Sequence, residues 1–303
     1  MANSAEGDDY RKTLNLSPTL IVFFSALNIF LSITASVGNA LTIIALRKVS
    51  SVHPPTKLLF RCLAVTDLCV GLTSQPLFAT IMLNAVTKMN LDILFYVLEV
   101  NTALSFVLCG VSIFTSTAIS IDRLLALQLG LRYRHVATLR RVRAVIFCFW
   151  LVGVSGGFIY SFWSHRIAYT AAIVSGILSL FISIFSYKKI FLTLRQRQAK
   201  VESHNEQDRP NAGGIPLNVP RYKKTVSSIL WAQLALVACY VPFLIFVVIT
   251  EIIGWRGVSA DAVWLSTITL LYLNSSLNPI LYCWKIKEVR QAVKDTVRRL
   301  NCL

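Results

Sequence analysis

The sequence predicts an all-α fold: a seven-transmembrane helix bundle followed by an amphipathic eighth helix. Three observations predict it. First, seven charge-poor runs are long enough to cross a bilayer as helices. They are Thr13–Leu46, Cys62–Thr87, Val100–Ile121, Ala144–His165, Ile167–Tyr187, Thr225–Thr250 and Ala262–Trp284, and only Asp67 interrupts any of them. Second, the links between runs alternate in charge. Arg47, Lys48 and Lys57 fall in the first, with Arg61 opening the second run; Arg132, Arg134, Arg140, Arg141 and Arg143 fall in the third; Lys188 to Lys224 fill the fifth. The even-numbered links hold Lys88, Arg166 and Arg256 beside Asp92, Glu99, Glu251 and Asp261. Third, the stretch Asn101–Leu129 places Ser105, Cys109, Ser112, Ser116, Ser120 and Arg123 at steps of three or four, on one helical face. Lipid would not be met by serines, so that face looks into protein or trapped water.

Composition agrees. The 303 residues are 55% hydrophobic and only 15% charged, too apolar for a soluble domain of this length. The net charge of +16 sits in alternate links, so it sets topology and attracts anionic membrane lipids; no nucleic-acid partner is expected. The positive-inside rule puts the N-terminus outside and the C-terminus in the cytoplasm of a multi-pass protein of the plasma membrane. Residues 1–18 form an extracellular tail, 19–284 the membrane domain, and 285–303 the amphipathic helix and cytoplasmic tail. Cys62, Cys69, Cys109, Cys148, Cys239 and Cys283 lie in or at the inner ends of helices, so no disulfide is expected. Cys302 follows the amphipathic tail as a candidate for palmitoylation. Asn15-Leu16-Ser17 is a glycosylation sequon on the outer tail, followed by Pro18.

In chain order, the first helix, near Leu20–Leu46, carries Gly38-Asn39, whose amide needs a polar partner inside the membrane. In the second, Leu63-Ala64-Val65-Thr66-Asp67-Leu68 holds a lone buried acid, expensive unless it meets donors, water or a cation. The third ends in Ile121-Asp122-Arg123. The fourth and fifth are separated only by Ser161–Arg166, too short for a lid. The fifth link, from about Phe191 to Arg221, contains Pro210, Gly213-Gly214, Pro216 and Pro220 and is expected to be a flexible cytoplasmic loop joining two basic helix extensions. Leu236, Tyr240, Phe243 and Val247 share a face of the sixth helix, kinked at Pro242. The seventh supplies Ser275, Asn278 and Tyr282 on one face, with Pro279 permitting a kink. Beyond it Ile286, Val289, Val293, Val297 and Leu300 alternate with Lys and Arg, the pattern of a helix lying on the inner leaflet.

Gly38-Asn39, Leu63–Asp67, Asp122-Arg123, Trp150, Cys239-Tyr240-Val241-Pro242 and Asn278-Pro279-Ile280-Leu281-Tyr282 together resemble, in order, the helix signatures of rhodopsin-like (class A) G-protein-coupled receptors. The resemblance implies a receptor that binds an extracellular ligand and activates a heterotrimeric G protein. It implies a sodium-and-water pocket at Asp67, Ser112, Asn274 and Asn278, with a bound sodium ion. It implies coupling through Asp122 and Arg123, with Tyr187 and Tyr282 meeting the arginine in the active state and Leu131 docking into the G protein. Lys188-Lys189 after Tyr187 also suit an interfacial anchor. Leu98 stands where most of the family has its outer cysteine, the second outer link has none, and the fifth helix lacks a proline, with Ser179 near its usual place. These departures resemble the melanocortin, lysophospholipid, cannabinoid and adenosine receptor cluster.

The ligand is expected in the outer half, in a hollow offered by Gln75, Asn101, Ser105, Phe106, Cys109, Ser175, Tyr240, Phe243, Leu244, Val247, Trp264, Ile268 and Tyr272. Tyr240 and Leu236 replace the family's usual tryptophan and phenylalanine. Ser105 stands where amine receptors have aspartate, and Tyr272 where opsins have lysine, so neither a monoamine nor a retinal Schiff base is expected. A small molecule, lipid or peptide remains open. A non-coupling decoy or scaffold receptor is an alternative reading; a transporter is a weaker one, because no inverted repeat or broken helix pair is present. The chain is not an enzyme by this reading: His53, His135, His165 and His204 are scattered, with no nucleophile or carboxylate constellation.

The sixth helix opens with Arg221-Tyr222-Lys223-Lys224 and offers no acid to hold Arg123 in a resting pair. Like charges there should tilt the equilibrium towards the signalling form; the resting pair that is missing would contribute about 1 kcal/mol. The expected outcome is ligand-free activity above that of Arg123→Ala in a reporter assay; equal activity would contradict it.

Overall fold

The computed structural model describes residues 16–49, 52–87, 91–207, 219–255, 257–285, 290, 291, 293–295 and 298. Seven long helical segments follow one another among them. The first is Pro18–Lys48, capped by the Ser17 hydroxyl, which accepts from the Leu20 amide at 3.4 Å. The second runs from Pro54 to Cys69, passes through a π-helical turn at Val70–Ser74 and continues as Gln75–Thr87. The third is Leu91–Leu129, the fourth Leu139–Phe162, the fifth His165–Gln207, the sixth Val219–Ile253 and the seventh Val258–Lys285. Five are long and apolar enough to cross a membrane; the described apolar part of the sixth is Leu234–Thr250.

Each helix packs on its chain neighbour and the seventh returns to the first, which closes the ring; the third also touches the second, fifth and sixth. The third helix is therefore the axis, as its serine face requires. Outward, Phe23, Phe30, Ile33, Phe147, Leu151, Phe158, Phe181 and Phe185 are exposed. A protein in water would not show so many apolar side chains together, whereas lipid is their natural solvent.

The close contacts explain the glycines. A Cβ on Gly38 would lie 2.9 Å from Pro279 Cβ, so the first and seventh helices touch through that missing side chain. A Cβ on Gly153 or Gly157 would strike Val107 or Val111, which seats the fourth helix on the third. In the second helix the π turn frees a carbonyl, and Ser32 of the first helix donates to Gly71 O at 2.7 Å. This is how an irregular turn survives where water is absent.

Three boundaries differ from expectation. The fifth helix does not end at Tyr187 but runs to Gln207, and the sixth starts at Val219, so both ends of the expected loop from Phe191 to Arg221 are helical, while residues 208–218 lie outside the described residues. Lys188–Gln207 contains no Gly or Pro and many Lys, Arg and Gln, so helix propagates past the membrane to Gln207. The second outer link contracts to Trp163-Ser164. The third link is itself ordered, with a 3-10 turn at Gly130–Arg132 and a helical turn at Tyr133–Val136. In the tail, Val293 packs against the inner cluster of Leu46, Leu59 and Leu63. Most of the rest of the expected eighth helix lies outside the described residues, as do Asn15 and Cys302.

Gly38→Ala should lower stability by about 1–3 kcal/mol, because it overpacks the contact with Pro279. Gly110→Ala, with nothing near its Cβ position, should be neutral or slightly stabilising. Thermal unfolding of the detergent-purified protein checks both, and equal melting of Gly38→Ala and wild type would refute the first.

Candidate functional site

Polar groups collect at three depths along the third helix. At mid-depth Asp67 has 0% of its surface exposed. Ser112 and Ser275 donate to its Oδ1 at 3.2 and 2.9 Å, and Asn278 donates to Oδ2 at 2.7 Å. Three donors from two neighbouring helices thus replace the water that a buried carboxylate has lost. Asn39 of the first helix donates to Ser275 O at 3.0 Å and so ties a third neighbour to the knot. Asn274 is buried with both amide atoms unpartnered. Ser275 and Asn278, which share a face of the seventh helix and are its candidate donors by sequence, both reach Asp67. The carboxylate and the two hydroxyls are oxygen donors of the kind that a hard cation such as sodium needs.

At the inner end Asp122 is the hub. Arg123 folds back onto it, donating from Nε at 3.1 Å and also from Nη2 to the same Oδ2. Thr56 donates to Oδ2 at 2.9 Å and Tyr133 to Oδ1 at 2.5 Å. Arg123 Nη2 also reaches the Thr56 hydroxyl at 2.5 Å. The acid thus joins the second helix, the third helix and the ordered third link. Neither Thr56 nor Tyr133 was singled out from sequence, because a lone hydroxyl in a basic link carries no periodic signal. Tyr187 is buried against Leu127 and Ile190, and its hydroxyl accepts from Ser120 at 3.5 Å. Its burial against the third helix is packing within the bundle, not the exposed setting of an interfacial anchor. Nor does it bond Arg123 here. The Tyr282 side chain lies outside the described residues. Leu131 is 92% exposed, on the turn that Gly130 makes possible at φ 52°.

In the outer half, the residues named for a ligand fall into two groups. Tyr272 and Ser105 share a hydrogen bond of 3.1 Å. Phe78 sets its ring edge-on to Tyr272 at 5.5 Å and Trp264 at 5.8 Å, and Ile268 packs in the same cluster. Gln75, three residues before Phe78, is fully buried with both amide atoms unpartnered, and Asn101 has an unpartnered oxygen one turn from Ser105. The second group lies between the third, fifth, sixth and seventh helices. Tyr240 reaches Cys109 O at 3.5 Å and packs with Leu244, while Phe243 and Val247 belong to a neighbouring apolar cluster. Ser175 donates to its own helix, to Ala172 O at 3.1 Å. Phe106 stacks on Tyr160 at 5.1 Å and meets Tyr169 edge-on at 5.2 Å. Phe78, Tyr160 and Tyr169 were not anticipated, since single aromatic residues in apolar runs look like core. Glu99 accepts from Tyr160 at 3.4 Å, so this rim acid is engaged. The described cysteines Cys62, Cys69, Cys109, Cys148 and Cys239 are free thiols.

Removing the Asp67 carboxylate strands three donors, so Asp67→Ala should cost about 1–3 kcal/mol in stability. Asp67→Asn should retain most of it, because its oxygen can accept from Asn278 while its amide donates to the two serine hydroxyls. Thermal melting of both variants decides; equal losses would show that charge, not hydrogen bonding, holds the knot.

The profile of the family "7 transmembrane receptor (rhodopsin family)" matches residues 38–166 and 157–282. Among curated proteins, the adenosine receptor A3 of Ovis aries is 26% identical, covering 89% of this chain and 88% of that protein. The trace amine-associated receptor 9 of Homo sapiens is 25% identical, covering 90% and 84%. The trace amine-associated receptor 7e of Mus musculus is 24% identical, covering 95% and 85%. With the closed ring, the Asp67 knot and the Asp122-Arg123 hub in place, the chain belongs to the rhodopsin-like family of seven-transmembrane receptors and is not an enzyme.

Proposed function

We propose that this chain is a plasma-membrane receptor, N-terminus outside, that takes an extracellular ligand in its outer hollow and activates a heterotrimeric G protein at its inner face. The observation that carries this reading is the third helix. One of its faces supplies Ser105 to the outer hollow, Ser112 to the Asp67 knot and Ser120 to Tyr187, and Asp122 and Arg123 follow at its inner end. A rearrangement at one depth therefore bears on the next through a single rigid element. Exposed Leu131 is the apolar contact for the G protein, and release of Arg123 from Asp122 frees the cation to meet it, with Tyr187 and Tyr282 as partners. Arg221–Lys224, whose side chains lie outside the described residues, favour that release and raise basal signalling. A sodium ion in the oxygen set around Asp67 opposes it by stiffening the resting knot.

The ligand class follows from the lining. Gln75, Asn101, Ser105, Tyr240 and Tyr272 are uncharged, and a buried cation without a counter-charge is costly. An uncharged ligand that both donates and accepts hydrogen bonds suits these groups better than an amine. The relatives' names mention both adenosine and trace amines. Asn15 is proposed as a glycan site and Cys302 as a palmitoyl site.

Leu131→Asp and Arg123→Ala should each reduce G-protein nucleotide exchange at least about tenfold in nanodiscs while leaving melting near that of wild type. A panel of nucleosides, lipids, peptides and amines should contain an activator among uncharged members. Leu131→Asp signalling like wild type would sink the assignment of that contact. Sodium should raise the melting temperature of wild type and not of Asp67→Ala.

A further inference from the structure

Two amides in the outer half, on the second and third helices, keep polar atoms that no protein group satisfies. Gln75 and Asn101 are 0% and 4% exposed, and Gln75 Nε2, Gln75 Oε1 and Asn101 Oδ1 have no hydrogen-bond partner. Both flank Tyr272. Asn101 lies one turn outward of Ser105, whose hydroxyl shares a 3.1 Å bond with that of Tyr272. Gln75 lies one turn inward of Phe78, whose ring meets that of Tyr272 at 5.5 Å. A buried amide left unpaired is costly, and two of them beside one tyrosine call for a guest. The unused atoms set its chemistry: one N–H donor group and two carbonyl acceptors. No charge is on offer, because Asp67 already accepts from three donors and Glu99 is engaged by Tyr160. A hydroxyl donates once and leaves one of the two carbonyls unserved. A primary carboxamide brings two N–H groups and one carbonyl, the complement of the set. Further along the hollow, Phe243, Leu244 and Val247 are apolar and the Tyr240 hydroxyl is turned to Cys109 O. That lining suits an aliphatic or aromatic body better than a sugar.

We propose that Gln75 and Asn101 form a subsite for a primary carboxamide carried on an apolar body. Gln75 Nε2 donates to the carbonyl of the ligand and Gln75 Oε1 accepts one of its N–H groups, a reciprocal amide pair. Asn101 Oδ1 accepts the second N–H. The body extends towards Leu244 and Val247. This assignment rests on the outer hollow being the ligand site, and it narrows the occupant from any uncharged molecule to one head group.

Thermal melting of the full chain in nanodiscs, titrated with biphenyl-4-carboxamide, tests it. The carboxamide should raise the melting temperature of wild type. Its N,N-dimethyl analogue keeps the body and the carbonyl but lacks both N–H groups, and should need at least about tenfold more for the same shift. Without probe, Gln75→Met and Asn101→Leu should melt at or above wild type, because each removes an unpaired buried polar group. With probe, each should need at least about tenfold more carboxamide than wild type. Thr80→Val, at an exposed position of the second helix, should respond like wild type. Equal potency of the dimethyl analogue would overturn the carboxamide as head group. Unchanged potency in both variants, or no shift of wild type, would overturn the subsite. Probe-free destabilisation of both variants would also overturn it, since the amides would then serve the fold. G-protein nucleotide exchange on the same samples separates this subsite from the receptor reading. Wild type that binds the carboxamide but never promotes exchange contradicts the coupling and supports the subsite; exchange without any carboxamide shift overturns the subsite alone.

Discussion

A carboxylate sealed inside a membrane protein must find its hydrogen bonds in the protein, and Asp67 forces the arrangement of this one. Its three donors come from the third and seventh helices, and Asn39 links the first helix to the same residue that holds it. Once these groups meet, the relative heights of four helices are set. The contact of Gly38 with Pro279 and the π turn after Cys69 then become requirements rather than irregularities. The first brings the seventh helix close enough to present Ser275 and Asn278. The second turns the outer half of the helix so that Phe78 faces Tyr272 and Trp264. Apolar packing closes the ring, but a non-directional force would accept other rotations of each helix.

The same logic operates at the inner end with a different outcome. Asp122 accepts from Thr56, Tyr133 and Arg123, so one acid keeps the arginine folded on its own helix and keeps the third link ordered. A resting state does not then depend on an acid in the sixth helix. On the function proposed above, the basic start of that helix acts against this local pairing. Two such opposing terms would leave the equilibrium open to a ligand.

The bundle was legible because burial in lipid makes a long, simple signal, and charge alternation orients it. Asp67, Ser112, Asn278, Asp122 and Arg123 were legible because a polar residue in an apolar run needs a reason. Ser275 was legible as a candidate partner of Asp67 because it shares a helical face with Asn278. Thr56 and Tyr133 were hidden in a polar link, where hydroxyls are ordinary. Phe78, Tyr160 and Tyr169 were hidden for the opposite reason, since aromatic residues are ordinary in apolar runs. The apolar run marks only the membrane-crossing part of the fifth helix, and backbone propensity carries its basic extension through Lys188–Gln207, beyond the expected loop start near Phe191. Membrane thickness limits the apolar span, not the helix.

The central claim is that the hub at Asp122 opens when the inner face is engaged. It is tested most directly by the distance between spin labels on the inner ends of the second and sixth helices, with and without nucleotide-free heterotrimeric G protein. The account predicts that the distance lengthens by several ångströms when the G protein is present, and that Arg123→Ala suppresses the change. A distance distribution that is the same in both conditions would contradict it.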